Sequence, residues 1–164
     1  MSSDELFLEA YRLNVVEEKH KEAIALCKNA LELEHTNNKA RVYLGMLLAD
    51  YGNDEEKAEA RVHFIKAINS VTDEKRLCDS GFEESALHHL AIWEWEREEL
   101  AVAALLFLTD VATCGSKESY DYLMTVCAEL SPEVLPDLNM IFSKVFHLSN
   151  YHSEPHSEAP ETIA

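Results

Sequence analysis

The sequence predicts an all-α protein, with about eight helices arranged as stacked antiparallel hairpins. Apolar residues recur at helical spacing along most of the chain, and no segment alternates apolar and polar residues as a half-buried strand does. The 164 residues include only 4 Gly and 4 Pro, which leaves little material for the tight turns of a β-rich fold. A chain of this length is most simply one domain with a substantial core, which we assign to residues 1–148.

Each of the first four helices is marked by apolar residues that share one face. These residues are Leu6, Ala10 and Leu13, then Ala23, Cys27, Ala30 and Leu31, then Tyr43, Leu47 and Tyr51, and finally Ala60, Phe64, Ala67 and Val71. Gly52 indicates the turn between the third and fourth helices. Residues 69–81 combine turn formers with charge, so we interpret them as the longest internal connection.

The second half of the chain predicts four more helices. We expect the fifth from about Phe82 to Arg97 and the sixth from Glu98 to Thr113, followed by the helix-ending Gly115. Ser116 is the expected N-cap of the seventh, and "SPEVLPDLNMIFSKVF" predicts the eighth, with Ser131 at its N-cap. Residues 149–164 have no apolar period, so we expect a disordered acidic tail there.

Two segments of the chain align with each other at an offset of 37 residues. They are "EAIALCKNALEL", residues 22–33, and "EARVHFIKAINS", residues 59–70. Each places two alanines on either side of a larger residue, which is Cys27 in the first copy and Phe64 in the second. Small residues let neighbouring helices approach closely, and the larger residue fills the space between them. Leu44 and Gly45 stand on the helix that precedes the second copy.

This pattern resembles the tetratricopeptide repeat, which joins a Leu-Gly pair on one helix to an Ala-x-x-x-Phe pair on the next. The resemblance covers two units in residues 4–71, and a degenerate third is expected in residues 84–113. Arg41, Leu48 and Thr72 depart from the family's Trp, Tyr and Pro. The alternative is a helical bundle without repeats.

The resemblance implies a right-handed superhelix whose first helices line a concave groove for a peptide or a partner's surface. The family's best-known groove clamps a peptide carboxylate with Lys, Arg and Asn. Only Asn14, Lys39 and Arg41 are candidates for such a clamp here. The acid excess of the chain argues against a ligand that ends in several carboxylates.

Charge is the strongest global signal in the composition. The formal net charge is -17, and residues 81–164 contribute 15 acidic but only 3 basic side chains. Such a field repels nucleic acids and anionic membranes and accelerates encounter with a basic protein partner. The alternative is that acidity only keeps the protein soluble.

The sequence carries no recognisable catalytic, cofactor or metal motif. It contains no H-E-x-x-H, no Gly-rich phosphate loop and no G-x-S-x-G. The adjacent His88 and His89 diverge by about 100° on a helix, and Pro155 separates His152 from His156, so we expect no metal site. We therefore expect a protein that is not an enzyme and has no cofactor.

The cysteines and the N-terminus favour a cytoplasmic protein. The four cysteines show no C-x-x-C spacing, and we expect them to be reduced core residues. The N-terminal residues do not match a signal peptide. The longest apolar run, Leu100–Leu108, is too short to cross a bilayer.

The candidate binding site surrounds the second tryptophan of the fifth helix. Trp93 and Trp95 point roughly 160° apart on a helix, and Trp93 continues a core stripe with Ala86 and Leu90 that we expect to face the sixth helix. Trp95 then lies off that stripe as a partly exposed interface anchor among carboxylates. The predicted partner-binding residues are Trp95, Glu94, Glu98, Glu99 and Glu84. The alternative is that Trp95 packs under the neighbouring hairpin.

Together these features predict a non-enzymatic, acidic module that captures a basic protein partner. Its most concrete form is a bacterial immunity-type inhibitor that covers a cationic toxin, such as a nuclease domain. The alternatives are a tetratricopeptide-like chaperone or adaptor with a peptide in its groove, a homodimerising scaffold, and an acidic mimic of nucleic acid. The sequence leaves the oligomeric state open.

Overall fold

A computed structural model describes residues 1–70 and 85–130, and these residues form seven α-helices and no strand. The helices are α1 Ser3–Glu17, α2 His20–Leu33, α3 Asn38–Tyr51, α4 Asp54–Asn69, α5 Ala86–Trp95, α6 Leu100–Cys114 and α7 Lys117–Glu129. The all-α fold class is therefore confirmed for the described part of the chain. The expected eighth helix, most of the predicted internal connection, Glu84 and the tail lie outside the described residues.

Short polar side chains fix where several of the helices begin. The side chains of Ser2 and Asn53 accept hydrogen bonds from the N–H groups of the first turns of α1 and α4, and each forms a reciprocal capping box with a glutamate. The predicted cap Ser116 accepts from the N–H of Ser119 at the start of α7. Gly115 ends α6 at φ 66°, a left-handed conformation that glycine adopts without strain. These caps confirm the predicted boundary between the sixth and seventh helices.

The boundary between α5 and α6 differs from the prediction. Helix α5 ends at Trp95, and residues 96–98 form a turn before α6 begins at Leu100. Glu98 adopts φ 63° in this turn, which a helix cannot continue through. The prediction placed Arg97 at the end of the fifth helix and Glu98 at the start of the sixth, whereas both residues lie in this turn.

Each helix packs against the next helix along the chain, and α1, α3 and α5 also contact one another in order. Two clusters of buried side chains make up the core. The first combines α1 to α4 with Ala86 and Leu90 of α5, and the second combines Ala91 of α5 with α6 and α7. Helix α5 is thus covered on two sides and joins the two clusters.

The two aligned segments bury the same three positions. Cys27 and its flanking alanines in α2, and Phe64 and its flanking alanines in α4, are all at most 2% exposed. The glycine of the Leu-Gly pair, Gly45 of α3, allows close packing of α3 on α4. A Cβ atom at this position would lie only 2.6 Å from Cε1 of Phe64. The absent side chain lets the Phe64 ring rest against the backbone of α3.

Gly45→Ala is expected to lower the free energy of unfolding by about 1–3 kcal/mol, because the added methyl group overlaps the Phe64 ring. The higher helix propensity of alanine opposes this loss by about 1 kcal/mol. Denaturant unfolding of Gly45→Ala and of the double variant Gly45→Ala/Phe64→Leu tests the contact. The second substitution is expected to cost less in the alanine background than in the wild type. Purely additive effects would contradict the close approach.

The cysteines divide into two kinds. Cys27 and Cys127 are free and buried, and burial raises the pKa of Cys27 to about 12. Cys114 is disulfide-bonded, so the expectation of four reduced cysteines is wrong at this position. Among the described helices, none is both long enough and apolar enough to span a bilayer.

Candidate functional site

A groove opens where the odd-numbered helices α3, α5 and α7 come together. Its volume is about 270 Å³. The lining consists of Met46, Ala49 and Asp50 from α3, Phe64 from α4, His88, His89, Ile92 and Trp93 from α5 with Glu96 just beyond it, and Glu118 and Tyr122 from α7. The groove therefore combines aromatic and aliphatic walls with three carboxylates.

The aromatic walls are held in place by ring contacts. The imidazole of His89 stacks on the Phe64 ring, with centroids 5.9 Å apart and planes 19° apart. The His88 imidazole meets the Tyr122 ring edge-on at 5.4 Å. Since Phe64 and His88 are each only 1% exposed, the core fixes the floor of the groove before any ligand arrives.

The histidines of the groove are neutral at pH 7. Burial lowers the pKa of His88. Burial also lowers the pKa of His89, to about 3, and the neighbouring His88 adds to this effect. The described lining residues include no lysine and no arginine. Any formal charge on this lining is therefore negative at neutral pH.

The three carboxylates come from separate segments of the chain. Asp50 lies near the end of α3, Glu96 follows α5, and Glu118 lies in the first turn of α7. Within residues 1–70 and 85–130, none of the three forms an ion pair with a lysine or arginine. Partial desolvation raises the pKa of Asp50 and the charge of Glu96 adds to this effect, while Lys57 and His20 oppose it. A cation in the groove would relieve this repulsion.

A buried polar network supports the groove from behind. The Ser119 hydroxyl donates to Oδ2 of Asp110 at 2.6 Å, and Ser85 donates to Oδ1 of the same carboxylate. Because the only hydroxyl proton of Ser119 is used in this way, Nδ1–H of His88 donates to Ser119 Oγ across 2.6 Å. Here the serine stands between histidine and aspartate, whereas a catalytic triad needs the histidine in the middle. The network thus ties α5, α6 and α7 together.

The tryptophans occupy opposite sides of α5. The Trp93 indole donates to the carbonyl of Lys57 in α4 at 3.1 Å, and Ala86, Leu90 and Trp93 all pack on the first core cluster. This stripe faces the α3–α4 hairpin, so the expectation that it faces the sixth helix is wrong. Trp95 packs on the second cluster beside Tyr122, as the alternative interpretation of the sequence proposed, and its indole donates to Glu129 at 2.9 Å.

The predicted acidic ring around Trp95 is only partly formed. Glu94 is 4% exposed and accepts a 2.6 Å hydrogen bond from Nε of Arg61 in α4, so the expectation that it is an exposed steering charge is wrong. Glu98 and Glu99 are exposed in and after the turn between α5 and α6. Glu84 lies outside the described residues. Glu98 and Glu99 therefore remain the candidate partner-binding residues at the turn between α5 and α6.

No protein-family model matches the chain, and the searches of curated proteins and of solved structures found no significant similarity. The candidate site therefore depends on its own geometry. In the part of the chain that the structure describes, no three His, Cys, Asp or Glu side chains are grouped so that they could hold a metal ion.

Sequence reasoning missed the three groove carboxylates. Asp50, Glu96 and Glu118 are separated by 46 and 22 residues, so no local spacing connects them. The order of the helices was the available signal. Each carboxylate lies on, or directly after, one of the odd-numbered helices α3, α5 and α7. Our prediction followed the tryptophan pair instead.

Alanine substitution of either tryptophan is expected to lower the free energy of unfolding by about 2–3 kcal/mol, because each half-buried indole packs on a different core cluster. Chemical denaturation of Trp93→Ala and Trp95→Ala measures both losses, with the exposed-site variant Val62→Ala as a control. A Trp95→Ala protein as stable as the control would contradict the packing and would restore Trp95 as a free surface anchor.

Acid is expected to destabilise the fold through its neutral histidines. Burial is the main cause that lowers the pKa of His63 to about 4 and of His89 to about 3. The unfolded chain therefore takes up protons first, near pH 6.5, and stability falls as the pH drops from there towards these folded-state values. His63→Gln and His89→Gln should each flatten this dependence, while His35→Gln at an exposed site should not. Unfolding curves between pH 7 and pH 4 measure the slopes, and equal slopes would contradict the burial effect.

Proposed function

We propose that this protein is a non-enzymatic, acidic protein-binding module that captures a basic partner in the groove between α3, α5 and α7. The observation that carries the proposal is the charge of the groove lining. Among the described residues, Asp50, Glu96 and Glu118 form no ion pair with a lysine or arginine, and the imidazoles of His88 and His89 in the same lining are neutral. A lysine-rich or arginine-rich segment would supply the missing positive charge.

A tetratricopeptide-like right-handed superhelix is the architecture that we propose for the whole domain. The support comes from the paired helices, from the matching buried positions in α2 and α4, and from the contact of Gly45 with Phe64. The contacts of α1 with α3 and of α3 with α5 agree with first helices that share one face. In such an arrangement the groove would lie on the concave side, where the family's binding surfaces are found.

The most concrete form of the proposal is an immunity-type inhibitor of a cationic toxin domain. The net charge of -17 and the acid excess of the second half favour a strongly basic partner. The contact would extend from the groove to the turn between α5 and α6, where Trp95, Glu98 and Glu99 lie. Glu96 would belong to both the groove and this second surface. Electrostatic steering of this kind raises the association rate at low salt.

A peptide-binding adaptor is the second candidate, and the concave shape of the groove favours it. An extended peptide segment is held better by a cavity between helices than by a flat surface. The two candidates differ in their response to salt. The association rate of an inhibitor steered by charge falls steeply as salt rises, whereas an adaptor that buries apolar side chains keeps most of its affinity.

A cytoplasmic location also remains a proposal. The free Cys27 and Cys127 are compatible with a reducing compartment, whereas the disulfide at Cys114 favours an oxidising one. Counting free thiols in the protein purified from its host without reductant distinguishes the two. Four thiols support the cytoplasm, and two support an oxidising compartment.

The proposed function is tested by two double variants with the same change in net charge. Glu96→Gln/Glu118→Gln removes two groove carboxylates, and Glu32→Gln/Glu59→Gln removes two exposed carboxylates from α2 and α4. Binding of a lysine-rich peptide by calorimetry is expected to weaken at least tenfold in the groove variant and less than twofold in the control. Equal weakening in both would mean that only the overall charge attracts the peptide, and the groove proposal would then be wrong.

A further inference from the structure

We infer that the groove is a socket for a single lysine side chain of the basic partner. This inference rests on the proposed function and makes it more specific, because it names the chemical group that enters the groove. It follows from the aliphatic walls of the groove and from its three carboxylates, which come from separate segments of the chain.

The walls of the groove suit the stem of a lysine side chain. Met46, Ala49 and Ile92 line the groove with aliphatic surface. The four methylene groups of a lysine stem can contact such a wall while the ammonium group reaches the carboxylates.

The carboxylates favour an ammonium group over a guanidinium group. Asp50, Glu96 and Glu118 line the same groove but are contributed by or follow three different helices, so the acceptors belong to separate segments of the chain. An ammonium group is a compact charge with three donors on a flexible stem, and it can address separate acceptors. A guanidinium group is planar and pairs best with a single carboxylate in a bidentate arrangement.

The ring of Trp93 contributes packing to the socket, and we do not assign it the cation contact. The guanidinium carbon of Arg97 already lies 3.4 Å from the centroid of this ring, and Arg97 also donates to the carbonyl of Trp93. A second cation over the same ring would be repelled by Arg97. The ammonium group is therefore assigned to the carboxylates, and the aromatic floor excludes water from its stem.

The probe for the socket is n-butylammonium, which carries the lysine stem and charge without a peptide. Titration into the full chain, followed by NMR of the Met46 and Ile92 methyl groups, is expected to give saturable shifts. The neutral n-butanol is expected to give none. Glu96→Gln/Glu118→Gln should weaken n-butylammonium binding at least fivefold, while Glu32→Gln/Glu59→Gln should leave it unchanged.

Three outcomes overturn the inference. They are n-propylguanidinium binding as tightly as n-butylammonium, n-butanol binding as tightly, or no saturable shift at the groove methyl groups. If the lysine-rich peptide still loses affinity in the groove variant in any of these cases, the proposed function stands and only the socket is wrong. If peptide binding is also insensitive to the groove variant, both are wrong.

Discussion

Asp110→Ala is expected to lower the free energy of unfolding by about 3 kcal/mol or more. Asp110 is fully buried and accepts hydrogen bonds from the hydroxyl groups of Ser85 and Ser119. Its removal leaves both buried hydroxyl groups without their acceptor, and each such loss costs about 1–3 kcal/mol. The network also positions His88 in the wall of the groove, so the same variant should weaken binding of the lysine-rich peptide.

A nearby aspartate provides the matched control. Asp121 of α7 is exposed and pairs with Lys117 one turn away, and solvent screens such an exposed ion pair, so it contributes little to stability. Urea unfolding of Asp110→Ala and Asp121→Ala, with Asp110→Asn as an intermediate case that keeps one acceptor oxygen, gives the comparison. Similar small losses in Asp110→Ala and Asp121→Ala would contradict a structural role for the buried network.

Phe64→Ala is the second substitution with a large expected effect, a loss of about 3–5 kcal/mol in the free energy of unfolding. Phe64 is 1% exposed, lies against the backbone at Gly45 and stacks with His89. Because Gly45 has no side chain to move into the space, the truncation leaves a cavity that the structure cannot easily fill. Thermal and denaturant unfolding measure the loss.

The same helix carries the control for Phe64→Ala. Val62 of α4 is 48% exposed, and Val62→Ala is expected to change the free energy of unfolding by less than about 0.5 kcal/mol. Phe64→Leu should fall between the two because it keeps most of the apolar volume. A Phe64→Ala protein that unfolds like the Val62→Ala control would show that α4 does not pack on α3 as described.

The sequence predicted the hairpins well where local chemistry decides the structure. The boundary between α6 and α7 follows from a glycine that tolerates a left-handed backbone and a serine that caps the next helix. The buried positions of α2 and α4 follow from small residues at helical spacing, because only those faces allow close helix contact. Both signals are contained within a few residues.

The orientation of α5 could not be predicted in the same way. This helix is apolar on most of its surface and is covered on two sides, so its sequence does not distinguish the face towards α4 from the face towards α6. The partner of Glu94 is Arg61, which lies 33 residues earlier in the chain. A glutamate next to two tryptophans was therefore interpreted as exposed, although tertiary contact buries it.

The groove itself depends on contacts between distant segments. Its carboxylates line one groove although they come from or follow α3, α5 and α7, which are far apart in the sequence. Spacing in the sequence cannot reveal such a set without the order in which the helices stack. We propose that this groove receives the positive charge of a basic partner, which the net acidity of the sequence led us to expect.

The most direct test of the account is to map the binding surface of a lysine-rich peptide by NMR of the backbone amides at low and moderate salt. We expect the largest shifts at and around Asp50, Glu96 and Glu118, with the same residues affected at both salt concentrations and weaker binding at the higher one. Shifts confined to α1 and α2, or spread evenly over all acidic surfaces, would contradict a groove that captures a basic partner.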